Sequence, residues 1–501
     1  VQQAINDGSY NFVDPSQNSA AVRNWLAPRS TQHSDSSEYS GEVTLQKGLF
    51  KLPGGMVNLV VGGNIRYESL NNPSANPDDP NDPSTQYMGV NGFYAKGSRW
   101  VESGFFETYI PFVKYFSTDV SGRYDNYSVG YNRFSPKVEA LIKPIKEFTL
   151  RGTFSKGFRV PSFAETNSQT VGYVTDTPSS HSYTSAFLAQ HQNAAGTGPD
   201  AYAQPYSLAL NTVGNPSVKP ELSTSFTGGA VIQPTRWMNL SFDYYYIKKT
   251  NYITTANQST ALEAYYTGSP MPSGISVIPD VTDPDHPDAT PRAGIVNLGY
   301  INGATLVTDG LDLALDANIP LPGKLSKIRW YSKGEATYIF RYNVNYPGLG
   351  TERFAGTLGP ANTTSASGTP RWRANWANTF SYDKLSLTTT VYYTSGYKLT
   401  AEDATGPGTR NDCSQAQSGF AGETTLDGDP IRCNAPSFWD VDLTLMYRFN
   451  NRFTAYANMY NVANWKPALD LGTYGGYLYN PSWSAAGMLG RAFRFGVNVT
   501  L

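Results

Sequence analysis

The stretch MNLSFDYYY, residues 238–246, puts Met238, Leu240, Phe242, Tyr244 and Tyr246 on one side of an extended chain and Asn239, Ser241, Asp243 and Tyr245 on the other. Successive strand side chains point to opposite faces, so this reads as a strand with one apolar and one polar face. The pattern recurs. In LDLALDANI (311–319), Leu311, Leu313, Leu315 and Ile319 oppose Asp312, Asp316 and Asn318. In WDVDLTLMY (439–447), Trp439, Val441, Leu443, Leu445 and Tyr447 oppose Asp440, Asp442 and Thr444. In the stretch 327–342, Ile328, Trp330, Tyr338, Phe340 and Tyr342 oppose Arg329, Lys333, Glu335 and Arg341. The closing stretch GRAFRFGVNVTL (490–501) sets Phe493, Phe495, Val497, Val499 and Leu501 against Ala492, Arg494, Gly496, Asn498 and Thr500.

The alternating segments are about 10–14 residues long, against a mode of about 5–6 in globular proteins. A tilted strand that crosses a bilayer needs about 9–11. About fifteen such strands are expected, near 40–50, 55–69, 101–113, 117–128, 132–143, 146–157, 220–233, 236–249, 304–319, 326–343, 371–382, 384–396, 437–449, 451–461 and 490–501. Their connections alternate between short turns (KLPGG, KPIKE, QPTR, PLPGK, SYDK, FNN) and long loops near 70–100, 158–219, 250–303, 344–370, 397–436 and 462–489. Only the link near 129–131 is short where a long loop is due. Short turns at one end and long loops at the other are the layout of an outer-membrane barrel. Trp237, Tyr244, Tyr246, Trp330, Tyr338, Trp372, Trp376 and Phe380 fall where such strands meet the two interfaces. The expected fold is an all-β, transmembrane, antiparallel up-and-down β-barrel. A soluble sandwich or propeller would have shorter strands and more Lys and Glu on the polar face.

Composition agrees. Aromatic residues make up 14% of the 501 residues and charged residues only 16%, below the usual quarter or so. A net charge of −2 gives no footprint for nucleic acid. No apolar run approaches the roughly 20 residues of a membrane helix, which a barrel does not need. The chain begins at Val1 rather than Met, and it is expected to be the C-terminal part, residues 1–501, of a larger barrel domain. Cys413 and Cys433 share one polar loop. In an oxidising compartment they would close a disulfide worth about 3 kcal/mol for a loop of about 20 residues; two surface thiols are the other reading.

Several stretches carry a resemblance. STDVSGRYDNYS (117–128) precedes FSPKVEALIKPIKEFTLRGTFSKGFRVPSFAE (134–165), and NPSVKPELSTSFTGG (215–229) and NMYNVANWKP (458–467) follow in order. Together with the terminal strand, the chain resembles the C-terminal barrel region of TonB-dependent outer-membrane receptors over nearly its whole length. It departs from the family pattern in ending at Leu501 where Phe is usual. The resemblance implies a 22-stranded barrel around an N-terminal plug, with the plug, the TonB-meeting segment and the first strands missing here. It implies active import of a small molecule (siderophore, carbohydrate or cobalamin-like) across the outer membrane of a Gram-negative cell, driven from the inner membrane through TonB. The implied partners are the TonB complex, outer-membrane lipid, the barrel-assembly machinery and the small-molecule ligand. A monomer, no cofactor and no enzyme activity are expected; a passive pore or an outer-membrane enzyme is the alternative.

The residues give further expectations. The polar face should line a lumen with Asp119, Arg123, Asp125, Arg151, Asp243, Asp312, Asp316, Arg341, Asp440, Asp442, Arg448 and Arg494. Asp440 and Asp442 lie two apart, a spacing that catalytic carboxylate pairs can have; lumen lining is the plainer reading. Candidate ligand contacts are the loop tyrosines Tyr173, Tyr183, Tyr202, Tyr206, Tyr265, Tyr266, Tyr474, Tyr477 and Tyr479, because a ring offers contact area with a polar tip. Phe493, Phe495, Val497, Val499 and Leu501 form the expected barrel-assembly strand. His181 and His191 share a loop, but His and Cys are sparse, and no metal site is expected. The acidic stretches 77–83 and 280–288, broken by Pro, read as turns rather than Ca²⁺ loops.

Overall fold

Each of the fifteen alternating stretches is extended in the computed structural model. The structure describes residues 6–27, 31–74, 93–176, 184–255, 258–271, 274–346, 350–360, 367–399, 434–467 and 479–500, with residues 4, 29, 401, 402 and 470. The short helix α1 (Ala20–Leu26) leads into β1 (Asp35–Leu52), β2 (Gly55–Asn72), β3 (Tyr94–Val113), β4 (Phe116–Tyr127), β5 (Tyr131–Ile145) and β6 (Phe148–Arg159). Then come α2 (Phe163–Thr166), β7 (Ser168–Asp176), α3 (Thr184–Gln190), β8 (Tyr206–Val213), β9 (Glu221–Thr235) and β10 (Met238–Thr255). Next are α4 (Gln258–Thr267), β11 (Ile275–Pro279), β12 (Ala293–Pro320), β13 (Arg329–Tyr346), β14 (Gly350–Arg353), β15 (Trp372–Tyr382) and β16 (Leu385–Thr394). The chain ends through β17 (Tyr397–Lys398), β18 (Asn434–Ala435), β19 (Phe438–Arg448), β20 (Phe453–Tyr460), α5 (Pro481–Leu489) and β21 (Ala492–Val499).

The long strands form one antiparallel meander. β1 to β6 pair in sequence, β6 pairs with β9, and β9 with β10. The sheet continues through β12, β13, β15, β16, β19, β20 and β21. Among the described residues β1 pairs only with β2 and β21 only with β20, so these are its two edges. The short turns suit their positions. Asp383 holds φ +50° in the two-residue link between β15 and β16, a region that Asp tolerates. The unexpectedly short link after β4 is a tight turn that uses Gly130 at φ +89°.

The sequence periodicity misses the short strands inside the long loops. β7 and β8 form a hairpin, β8 lies parallel to the start of β12, and β11 pairs there too. β12 itself begins at Ala293, well before the expected 304. This loop layer has its own apolar core of Leu208, Ala261, Leu262, Ala293, Val296 and Leu298.

One face of the meander is aromatic and aliphatic. Trp100, Trp376 and Trp439 are each about half exposed on it, with Tyr39, Val43, Phe134, Phe154, Phe226, Phe242 and Leu445. Ring pairs cross the strands at both ends: Trp330 on Phe380 at 5.4 Å near the short turns, Tyr338 on Trp372 at 4.7 Å and Tyr393 on Trp439 at 4.5 Å near the loops. A continuous apolar face of this extent is far larger than a soluble monomer exposes. No helix among the described residues is long and apolar enough to cross a membrane.

The other face is polar and carries cross-strand pairs. Arg151 on β6 and Asp243 on β10 meet across the intervening β9, with Nε–Oδ1 at 2.7 Å and Nη2–Oδ2 at 2.5 Å. Gly229 is the β9 residue opposite both. A Cβ there would run into the Asp243 carboxylate, so the glycine makes room for the pair. Arg341 departs from the expected lumen face. The β12–β13 register slips between Asp309 and Gly310, and a slip of one residue turns side chains to the opposite face. Beyond the slip, Arg341 binds Asp309 at 2.8 Å through both Nε and Nη2, and Asp309 accepts from the Tyr244 hydroxyl at 2.8 Å, on the aromatic side. By the same slip Tyr342 turns from the apolar set to the inner side.

Candidate functional site

At the loop end of the sheet, the inner face holds a basin of about 710 Å³ whose walls include Lys249, Tyr252, Thr254, Tyr300, Tyr342 and Tyr346. Its charged wall is built from the ends of three strands. Arg159 closes β6, Glu221 opens β9 opposite it, and Lys249 lies on β10. Arg159 donates to Glu221 at 3.0 Å (Nε–Oε2) and 2.8 Å (Nη2–Oε1), and to both carboxylate oxygens of Glu165 at 2.7 Å. Glu221, 2% exposed, also accepts the Ile253 N–H at 3.0 Å and lies 3.6 Å from Lys249 Nζ. The four charges sum to zero. Two cations and two anions linked in this way fix the strand ends without leaving an unpaired buried charge.

Glu165 is placed by a capping box. The Ser162 hydroxyl accepts the Glu165 N–H at 3.2 Å while Glu165 Oε2 accepts the Ser162 N–H at 2.7 Å, an arrangement that satisfies two otherwise orphan donors. Burial pushes the Glu165 carboxyl up, but the Arg159 and Ser162 hydrogen bonds outweigh it and hold the group below its ordinary value. The opposite wall is apolar. Tyr252, Leu306, Val344, Phe354 and Ala401 form a buried cluster with Tyr342 and Tyr346 against it. The basin can therefore present aromatic surface and paired charge to a bulky solute.

The sequence pointed to other tyrosines. The Tyr202 hydroxyl donates to the Val281 carbonyl at 2.5 Å, that of Tyr206 to Ala293 at 2.6 Å and that of Tyr265 to Pro291 at 2.9 Å, while the Tyr266 hydroxyl accepts the Ala293 N–H at 3.0 Å. Arg292 lies over the rings of Tyr202 and Tyr206 at 4.6 and 4.3 Å. These four tyrosines hold the loops of 184–213 and 258–293 together. Burial pushes the Tyr265 hydroxyl up to about 12. Tyr173 lies on β7, and Tyr479 stands just before α5. Tyr183, Tyr474, Tyr477, His181, Leu501, Cys413, Cys433 and the stretch 77–83 lie outside the described residues. Tyr252, Tyr300, Tyr342 and Tyr346 do not stand out in the sequence because they lie on strands, where an aromatic residue looks like wall or girdle; Tyr342 reads there as part of the apolar face.

A long antiparallel meander, apolar on one face and polar on the other, with short turns at one end and layered loops over a basin at the other, has the architecture of an outer-membrane β-barrel wall. The chain belongs to the TonB-dependent receptor family: its residues 2–462 match the model described as TonB dependent receptor-like, beta-barrel. Similar solved structures include the siderophore receptor PirA from Acinetobacter baumannii, with 14% identity and a TM-score of 0.59, covering 94% of this chain and 55% of that one. A mutant ferric enterobactin receptor, PfeA, from Pseudomonas aeruginosa in complex with enterobactin has 15% identity and a TM-score of 0.57, covering 93% and 54%. PirA from Pseudomonas aeruginosa has 14% identity and a TM-score of 0.52, covering 94% and 58%. The chain thus spans little more than half the length of these structures. Among curated proteins no significant match is found.

Proposed function

We propose that the chain is the greater part of the barrel wall of a receptor that imports a scarce, bulky solute across the outer membrane, with energy delivered through TonB. The family membership supports this, as does the similarity to proteins named siderophore and ferric enterobactin receptors. The observation that carries it furthest is the basin: a charge-balanced, tyrosine-lined space at the inner loop end, where solute arriving from the loops would enter the lumen. An aromatic, partly charged wall suits a ferric siderophore, whose rings and oxygens can use both. In this reading Tyr252, Tyr300, Tyr342 and Tyr346 contact the solute, and the loop tyrosines Tyr202, Tyr206, Tyr265 and Tyr266 keep the mouth in shape. The plug and the TonB-meeting segment belong to the rest of the receptor.

The test is uptake of ⁵⁵Fe-labelled ferric catecholate and hydroxamate siderophores, with labelled cobalamin and maltodextrin alongside. The cells express the full-length receptor, with and without functional TonB. Accumulation of one of them that depends on TonB, and falls at least about tenfold in a Tyr252→Ala/Tyr342→Ala receptor that still assembles, is expected. Accumulation of any of them indifferent to TonB contradicts the proposal.

A further inference from the structure

Outside the basin, the loop layer holds a compact group of a histidine and two aspartates drawn from distant positions. His191 follows α3, Asp200 lies nine residues on, and Asp283 sits in the loop after β11. One ligand atom from each lies within 4.8 Å of the others. His191 is fully buried, Asp283 is 2% exposed and the Asp200 side chain 10%.

The hydrogen bonds orient these groups inward. His191 Nε2 lies 2.9 Å from the Thr290 carbonyl, which can only accept, so this nitrogen carries a hydrogen. Nδ1 points to Asp283 Oδ2 at 2.7 Å. Asp283 Oδ1 accepts the Asp285 N–H at 3.0 Å, and one Asp200 oxygen, Oδ1, accepts the Ala203 N–H at 3.0 Å. The other, Oδ2, is buried and has no hydrogen-bond partner among the described residues; His286 Nε2 is 3.5 Å away. A bare buried carboxylate oxygen costs free energy unless a cation or donor faces it.

We infer that His191 Nδ1, Asp200 Oδ2 and Asp283 Oδ2 form a binding site for a divalent first-row transition-metal cation of the Zn²⁺ type, which clips the 184–213 loop to the 275–293 loop. A histidine ligand almost always donates its other ring N–H to a carbonyl or carboxylate, which fixes the ring and tautomer; the Thr290 carbonyl does this here. Two carboxylates balance a dication, which lies opposite the orphan oxygen. The cation takes the place of the proton that the Nδ1–Oδ2 contact otherwise needs, and that proton leaves to solvent. His286 stands beside the site, but its Nε2 donates to the Gln192 carbonyl at 2.8 Å, so this nitrogen is not one of the ligands. An imidazole among so few oxygens fits the Zn²⁺ class and not Ca²⁺, which takes about 6–8 oxygens.

Read separately, His191 and the acidic stretch 280–288 suggest no metal site, because His191 and Asp283 are 92 residues apart and reach one centre only through the pairing of β8 and β11 with β12. The test uses the untagged full-length receptor in detergent, stripped with chelator and titrated with Zn²⁺ by calorimetry, with metal counted by mass spectrometry. One Zn²⁺ per receptor, not displaced by excess Ca²⁺, is expected. His191→Ala and the near-isosteric Asp200→Asn should each weaken it by about 100-fold or more. Zn²⁺ should also slow proteolysis of the 184–213 loop in the parent protein and not in Asp200→Asn. Heat-modifiable gel mobility checks that each variant is folded. Zn²⁺ affinity unchanged in folded Asp200→Asn, or no Zn²⁺ bound by the parent, overturns the inference.

Discussion

At Arg159 the strand ends of the basin depend on a guanidinium that serves two carboxylates at once. The Glu165 carboxyl, held below its ordinary value, gives a pH dependence whose sign follows. A group with a depressed folded pKa contributes stability above its unfolded value, and that contribution is lost as pH falls through the folded value. Below an ordinary carboxylate value near 4.5, therefore, the α2 turn should loosen as Glu165 takes up its proton. Protease cleavage of the 160–176 segment in the full-length receptor, followed from pH 7 to pH 3, should rise at the acid end. In Glu165→Gln it should be raised already at pH 7 and be flatter with pH. Acid-independent cleavage in the parent would contradict the assignment. The stretches 134–165 and 215–229, which carry the family resemblance, contain all three residues, Arg159, Glu165 and Glu221, and Ser162 with Glu165 has the spacing of a capping box. What the sequence does not show is that they meet, which follows only from the β6–β9 pairing that sets Arg159 opposite Glu221.

At the scale of strands, the split of faces carries a measurable cost. Leu313 on the aromatic side of β12 lies opposite Ala336 and Phe242, while Asn318 lies on the inner side with Asp312 and Asp316. Leu313→Arg should destabilise the refolded full-length receptor by about 2–4 kcal/mol if it lies near the bilayer midplane, and Asn318→Arg by less. A denaturant titration in lipid vesicles that gives equal costs would sink the assignment. This split was legible because period-2 alternation runs unbroken through most of the long strands. It failed at Arg341 and Tyr342, where the slip beside Gly310 reverses the faces. Gly310 fits that place, since a Cβ would meet the Tyr338 carbonyl and the Tyr245 hydroxyl, each at 2.5 Å. The start of β12, AGIVNLGY (293–300), reads as loop because Ala293, Ile295 and Val296 break the alternation; the structure pairs it with β8 along one edge and β11 along the other.

For the whole molecule, the terminal strand β21 aligns Phe493, Phe495, Val497 and Val499 along one side, each more than half exposed, and among the described residues pairs with β20 alone. An open edge in lipid leaves backbone groups unpaired at several kcal/mol each. We propose that in the intact receptor this strand closes the barrel and is read by the assembly machinery, with the receptor a monomer. Deleting residues 492–501 from the full-length receptor should abolish heat-modifiable migration of membrane-extracted protein. Deleting a similar length within 404–436, the segment with Cys413 and Cys433, should not. Normal migration of the tail deletion would contradict a closing role.

The central claim is that the meander spans a membrane with its aromatic face in lipid, and the stretch 238–246 tests it most directly. Single cysteines at Asn239, Leu240, Ser241 and Phe242 of the full-length receptor, spin-labelled in liposomes, report collision with oxygen in the acyl region or with a water-soluble nickel chelate. Oxygen accessibility should alternate with period two, high at positions 240 and 242 and low at 239 and 241. A flat profile, or nickel access at 240 and 242, would contradict the membrane-spanning barrel.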